Sequence, residues 1–476
     1  MGTGSVRALA ATDRGETLAR FSVPLQTKKT GLHPEFHEQE AAPWWDRVCE
    51  ACRRVVSELD DSGVAIDRLQ GLAVDGTSGT LVCLDEAGEP VRPAIMYNDN
   101  RAVAEAEQLT AAAADFCDKL GYRFEASFAL AKIAWIERHE PDTARRTKRF
   151  VHQADYITGL LTGECAAADY SNALKTGYDI LDERWPDWIQ AHLPGITDKL
   201  PAVVPPGTPI GRVSRFAASQ TGLPAGVPVV AGASDGVAAT LASGVHSAGD
   251  YNTTLGTTLV FKGLSERICK DPDGLVYSHK LPGGLWLPGA ASNTGAAWIK
   301  KLYANEDLRA LDEQSLEYLP SQCVAYPLVR RGERFPFVSS EAEGFCDPKP
   351  SGATERFAAY LQGVALIERR CYEVLDKVTG ADGGQVYCTG GGSVSDVWMQ
   401  LRADVTGRVL HRPASPESAL GSAILAATAT FFRNLAEAIT SMVQFDRTFH
   451  PRRHNRDEYE VIYRRLCRLL EERGYR

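Results

Sequence analysis

Read as runs of apolar and polar residues, the chain breaks into short strands that end in small-residue turns and lead into helices. The run Val229 to Ala231 ends in Gly232-Ala233-Ser234, crosses an Asp235-Gly236 step and continues as a small-residue helical pattern from Val237 to Ala242. That order predicts a strand, a tight turn and a helix start with one carboxylate at the turn. β-Branched residues around Leu255-Gly256-Thr257-Thr258 predict a hairpin whose turn exposes backbone N–H groups and two hydroxyls. A second such unit lies earlier: strand Leu69 to Val74, the turn Asp75-Gly76-Thr77-Ser78-Gly79-Thr80, then strand Leu81 to Leu84. Further strands are expected at Val6 to Ala11, Glu16 to Val23, Gln385 to Cys388 and Val409-Leu410. Helices are expected from Trp44 to Leu59, around Ala102 to Thr110, over Phe128 to His139, from Trp185, over Ala353 to Thr379, over Val397 to Thr406, over Ala419 to Phe432 and over Tyr459 to Glu472. Ser171 to Asp182 reads as a polar loop. Strand, Gly-Thr turn, strand and helices recur in the second half without a fixed period.

At 476 residues the chain exceeds a single core, so two domains are expected. The proline- and glycine-rich stretches Leu200 to Pro209 and Gly222 to Pro228 place the boundary, giving 1–226 and 227–476. A net charge of -9 argues against a nucleic-acid binder, which needs a basic surface. The eleven scattered cysteines lack a second close pair after Cys49 and Cys52, which points to free thiols in a reducing cytoplasm and away from a zinc site. His33 and His37 have metal-like spacing but no third ligand. No apolar run is long enough to span a membrane, and no apolar core follows the N-terminus as a signal peptide requires.

The candidate chemistry collects at the turns. A carboxylate beside a small, donor-rich loop suits sugar phosphorylation: the acid takes a hydroxyl proton and the N–H groups hold phosphate oxygens. Asp235 equally suits a helix cap. Gly390-Gly391-Gly392-Ser393, between a strand and a helix, lets a flat ligand or a phosphate reach the backbone. Thr77 and Ser78 beside Asp75 form a hydroxyl-rich loop that can bond a polyol or serve as an ordinary Ser/Thr turn. Asp99 lies in the polar cluster Asn98-Asp99-Asn100-Arg101. Lys132, taken alone, reads as a surface lysine. The chain has no Gly-Lys dipeptide, no Gly-x-Ser-x-Gly and no His-Glu-x-x-His, which removes the Walker loop and the common hydrolase templates.

Together these pieces resemble the FGGY family of carbohydrate kinases across nearly the whole chain. Gly2-Thr3-Gly4-Ser5-Val6-Arg7 resembles its first phosphate loop. Ser127 to His139, with Lys132, Trp135 and Arg138, resembles its first signature, with Ala129 where Pro, Ser or Thr is usual. Asp169-Tyr170-Ser171-Asn172-Ala173 is typical of the family. Gly232 to Gly236 resembles the catalytic-base motif and Leu255 to Thr258 the second phosphate loop. Gly390 to Ser393, with Trp398, Ala403-Asp404 and Glu417 to Ala423, resembles the adenosine region. Xylulose kinases usually carry Gln-Met-His-Gly where this chain has Gly76-Thr77-Ser78-Gly79-Thr80. That loop, with Tyr97-Asn98-Asp99 and Gly332 to Phe337, looks like the D-ribulose kinase-like branch of cyanobacteria and plants.

The resemblance implies an α/β protein of two actin-like, ribonuclease-H-like domains, with mixed sheets flanked by helices and the site in the interdomain cleft. It implies ATP and Mg2+ as cofactors and D-ribulose as the sugar; D-xylulose, another ketose or polyol, or a pseudokinase that only binds are the alternatives. Asp235 would be the base and an indirect magnesium contact. Gly2, Thr3, Gly256, Thr257, Thr258, Gly295, Gly390, Gly391, Gly392 and Ser393 would hold the nucleotide. Thr77, Ser78, Asp99, Asp235 and Gly236 would meet the sugar. A cytoplasmic monomer or homodimer is expected. The family's first loop begins Asp-x-Gly-Thr, and here Met1 occupies the x position. The Asp and its strand are absent, so the first sheet should lack its central strand. The accompanying expectation is that the natural protein is longer by a short strand ending in Asp.

Overall fold

The computed structural model describes residues 1–25, 34–165, 167–271, 274–381 and 383–475; His33 lies outside them. The chain forms two compact units. The first comprises Met1–Ala242, His279–Leu285 and Ser415–Val443; the second comprises Ser243–Ser278, Trp286–Ala414 and Gln444–Arg476.

In the first unit, strands Ser5–Ala11 and Thr17–Pro24 form an antiparallel pair. Helix Ala42–Asp61, started by Pro43 in its first turn, covers them with Trp44, Val48, Ala51, Val55 and Leu59 at helical spacing. A separate sheet orders Pro209–Arg212, Pro228–Val230 and Leu72–Ala73, with Pro228–Val230 parallel to Leu72–Ala73. The sequence pattern extends that last strand over Leu69 to Val74, but the structure keeps two residues of it. Its far edge has no partner among the described residues, and an unpaired edge supports few ladder bonds. Ser171 to Asp182, read as a loop, holds the short helix Tyr170–Ala173, capped by the Asp169 carboxylate.

Between Ser5–Ala11 and Leu72–Ala73 lies a cavity of about 920 Å³. It is walled by Val6, Ala8, Leu72 and Val74, by Val55 from the Ala42–Asp61 helix, and by Ala423 from helix Ser418–Thr430. Both strands turn an unpaired edge to it among the described residues. The cavity forms a slot between the two edges.

The sheet of the second unit places, in spatial order, Trp286–Ser292, Leu259–Gly263, Tyr251–Leu255, Val386–Thr389, Leu410–Pro413 and Phe445–Phe449. The 27-residue helix Ala353–Thr379 buries Phe357, Leu361, Val364, Leu366 and Leu375 in this unit's core. The tail helix Arg456–Glu472 buries Tyr459, Ile462, Leu466 and Leu470 there too, so its charges occupy the opposite face. All eleven cysteines are free thiols. No helix among the described residues is long and apolar enough to cross a membrane.

Candidate active site

In the first unit the parallel strands Leu72–Ala73 and Pro228–Val230 end side by side, and each runs into a turn carrying an aspartate. The turns are joined by backbone bonds: the Asp235 N–H donates to the Gly76 carbonyl at 2.8 Å, and the Gly76 N–H to Ala233 at 3.4 Å. Glycine is required where they meet. A Cβ on Gly232 would lie 1.9 Å from the Val74 carbonyl oxygen, and one on Gly76 would lie 2.9 Å from the Ala154 nitrogen. Asp235 then opens the helix Asp235–Ala242.

Asp75 is buried. One carboxylate oxygen takes the Met1 ammonium at 2.5 Å and the other the Ser422 hydroxyl at 3.1 Å. Asp235 is half-buried and accepts the N–H of Gly236 at 2.7 Å. Burial first, and then the negative charge of Asp75, raise its carboxyl above the usual aspartate range. The Met1 ammonium, the Gly236 N–H and the Lys175 ammonium pull it back. The outcome is a partly open carboxylate with more proton affinity than an ordinary aspartate, a property that suits a general base.

The sequence-derived sugar contacts divide. Thr77 is buried, with its hydroxyl and N–H both on Gln153 Oε1 at 2.9 Å and its hydroxyl also 2.6 Å from that of Thr80. Ser78 Oγ has no protein partner among the described residues, and neither have Gln153 Nε2 and Asn172 Oδ1. Buried polar atoms left this way call for a polar ligand or water. Ser171, beside Asn172, accepts the Ser234 N–H at 2.9 Å, so this group abuts the Asp235 turn. Gly236 is exposed there. Asp99 is fully buried. Its two oxygens accept Nε and Nη2 of Arg101 at 2.8 and 2.7 Å and the His37 N–H at 2.6 Å, so the structure engages it internally and not with this group. Gly2 and Thr3 form the turn before Ser5, with the Gly2 N–H on the Ser5 carbonyl at 3.1 Å.

Lys132 corrects its reading as a surface lysine. It is fully buried and donates to the carbonyls of Gly79, Met96 and Ser127 at 2.7, 2.8 and 3.0 Å, and burial holds its ammonium well below the usual lysine range. Lys175, Gln153 and Asn172 were not marked as site residues by sequence. The available signal for Gln153 was a polar His152-Gln153 step straight after the apolar strand Phe150-Val151.

In the second unit the hairpin Tyr251–Leu255 and Leu259–Gly263 turns at Gly256 to Thr258. The Gly256 N–H closes the turn onto the Thr258 carbonyl at 3.0 Å. The N–H groups of Thr257 and Thr258 have no backbone acceptor among the described residues. Gly295 packs under this turn: a Cβ there would sit 2.6 Å from both the Thr257 carbonyl oxygen and Thr258 Cα. Strand Val386–Thr389 runs parallel to Tyr251–Leu255, so its glycine turn emerges at the same end. Gly390 has φ +87, and a Cβ there would lie 2.5 Å from the Leu255 carbonyl oxygen. One on Gly392 would lie 2.4 Å from the Leu255 side chain. Two of the three glycines are thus set by close packing on Leu255, while Gly391 faces open space. The Ser393 hydroxyl is engaged by the Gly390 carbonyl at 2.6 Å.

Free N–H groups with threonine hydroxyls, followed by an unobstructed glycine, fit a phosphorylated ligand. For a metal, no cluster of three or more His, Cys, Asp or Glu side chains occurs among the described residues. Of the two turn carboxylates, Asp235 fits a magnesium ion whose remaining oxygens come from phosphates, whereas both oxygens of Asp75 are engaged by the Met1 ammonium and Ser422.

The N-terminal domain model of the FGGY family of carbohydrate kinases matches residues 1–242, and the C-terminal domain model matches residues 251–430. A xylulose kinase of Bacillus subtilis is 26% identical, over 97% of this chain and 94% of its own length. A xylulose kinase of Streptomyces coelicolor is 30% identical, over 82% of this chain and 79% of its own. The crystal structure of xylulose kinase from Rhodospirillum rubrum superposes with a TM-score of 0.86 at 29% identity, covering 99% of this chain and 97% of that one. Both halves of the chain carry the match, and on that ground the chain belongs to the FGGY family of carbohydrate kinases.

Proposed function

We propose that the chain transfers the γ-phosphoryl group of ATP to the terminal hydroxyl of a ketopentose. The observation that carries this reading is the half-buried carboxyl of Asp235, its proton affinity raised by burial, set at a strand-to-helix turn beside unpartnered polar atoms of Ser78, Gln153 and Asn172. Asp235 removes the hydroxyl proton as the oxygen attacks the γ-phosphorus in line. Ser78 and Gly236 meet the sugar, while Thr77 and Asp99, engaged internally, shape the loops that carry the contacts. Gly256, Thr257, Thr258 and Gly391 receive the nucleotide. Magnesium arriving with ATP would face Asp235 and neutralise phosphate charge.

Two sugars are favoured by different observations. The relatives named xylulose kinase favour D-xylulose. The Gly76 to Thr80 loop, without the Met-His pair usual in xylulose kinases, favours D-ribulose. A coupled assay of ADP release over the pentuloses separates them. In the active assay, Asp235→Asn is expected to lower kcat by about two to four orders of magnitude, the range of a general base, with little change in sugar affinity. Near-normal turnover in that variant would exclude the role, and sugar binding without any ADP release would point to a sensor.

A further inference from the structure

We propose that Glu333 is a positioning residue for the phosphate-binding turn Gly256 to Thr258, acting through the segment Ser292 to Ala296; this rests on reading that turn as the nucleotide's phosphate site. Glu333 is 4% exposed, and the partners it has among the described residues are N–H and hydroxyl groups. Its carboxylate is met by five donors. Oε1 accepts the Asn293 N–H at 2.6 Å and the Arg334 N–H at 2.9 Å. Oε2 accepts the hydroxyls of Ser292, Thr294 and Tyr326, each at 2.9 Å. A buried carboxylate is costly without such compensation, and five donors keep it in place without a cation.

Three of these donors belong to consecutive residues, Ser292, Asn293 and Thr294, and the Asn293 amide adds a bond to the Gly332 carbonyl at 3.0 Å. The segment so pinned then holds the turn. The Thr294 carbonyl accepts the Leu259 N–H at 2.9 Å, and the Ala296 N–H donates to the Gly256 carbonyl at 2.8 Å. Gly295 between them lies flat against Thr257 and Thr258. Moving Glu333 therefore moves the floor on which Gly256 to Thr258 rests.

The substitutions separate positioning from bulk stability. In Glu333→Gln the amide oxygen can keep both backbone N–H bonds at the Oε1 position, and two of the three hydroxyls can rotate to accept the two hydrogens of the amide nitrogen. In Glu333→Ala all five donors lose their acceptor. Titrating the full-length chain with Mg-ADP, and separately with whichever pentulose it phosphorylates, is expected to show ADP affinity about tenfold weaker in Glu333→Ala, as for about 1.4 kcal/mol lost from a buried hydrogen-bond hub. Glu333→Gln should return to within about threefold of wild type on the same scale, and sugar affinity should be unchanged in both. Unchanged ADP affinity in Glu333→Ala, or sugar affinity falling in parallel, would overturn the proposal. Should Glu333→Ala not fold, Thr294→Val removes one donor at constant volume, and unaltered ADP affinity there would overturn it equally. A wild-type chain that binds no Mg-ADP would sink the kinase reading itself, an outcome distinct from wild type and variant binding alike.

Discussion

A carboxyl that must take a proton from an alcohol works best when it holds protons more firmly than a surface aspartate does. Asp235 owes that property to burial and to the charge of Asp75, moderated by Lys175. In the role proposed for it Asp235 acts when ionised, so the acid limb of kcat/KM would follow its ionisation. Removing the Lys175 ammonium with Lys175→Met takes away a stabiliser of the carboxylate and should move that limb to higher pH. Asp75→Asn removes a like charge and should move it to lower pH. Both variants shifting the limb in one direction would assign it to another group. At this scale the sequence showed Asp235 at its turn, because an apolar run ending in small residues before Asp-Gly is a local pattern. Lys132, Gln153 and Lys175 were not legible, because a lone polar residue in sequence does not reveal which carbonyls or carboxylates the fold brings to it. Asp99 illustrates the converse: its polar cluster is visible in sequence, but its pairing with Arg101 and with the backbone of His37 is tertiary.

At the scale of elements the long periodic segments and most short strands survived, while the strand expected over Leu69 to Val74 shrank to Leu72–Ala73. The Ala353–Thr379 helix has the limits the pattern predicts, because seven turns of periodic apolar residues leave little room for another reading. The four-residue helix Tyr170–Ala173 is shorter than any window that could register it. Packing between helices is likewise hidden from periodicity. Helix Ser418–Thr430 meets helix Asp235–Ala242 backbone to backbone at Gly421, where a Cβ would lie 1.8 Å from the Ala238 carbonyl oxygen. Alanine ordinarily favours a helix over glycine, but here it must push the two helices apart. Gly421→Ala should destabilise by about 1 to 3 kcal/mol, the usual range for overpacking. Because the displaced helix begins at Asp235, kcat should fall as well. Unchanged melting temperature and turnover would show that the contact gives way freely.

Two domains were legible in the whole chain from its length, and the α/β class came with the resemblance of its motifs to the family. The return of Ser415–Val443 to the first unit was not legible, since it depends on the Gly421 contact and on Ser422 reaching Asp75. The slot between Ser5–Ala11 and Leu72–Ala73 also bears on the whole molecule, through its two bare edges. Along Ser5–Ala11, successive backbone groups point alternately to the Thr17–Pro24 partner and to the slot. Amide hydrogen exchange should therefore alternate residue by residue along this strand, with every second amide deuterating far sooner than its neighbours. Fusing about six apolar, β-branched residues ahead of Met1, enough to match the strand at about 3.3 Å per residue, should slow the fast set and raise the melting temperature. A fusion with charges at the inward positions should do neither. Uniform protection along Ser5–Ala11 in the unextended chain would mean the edge is already shielded. If the alternation is found, a pulse of deuterium too brief to label the core would single out this one strand and make its bare edge readable by mass alone.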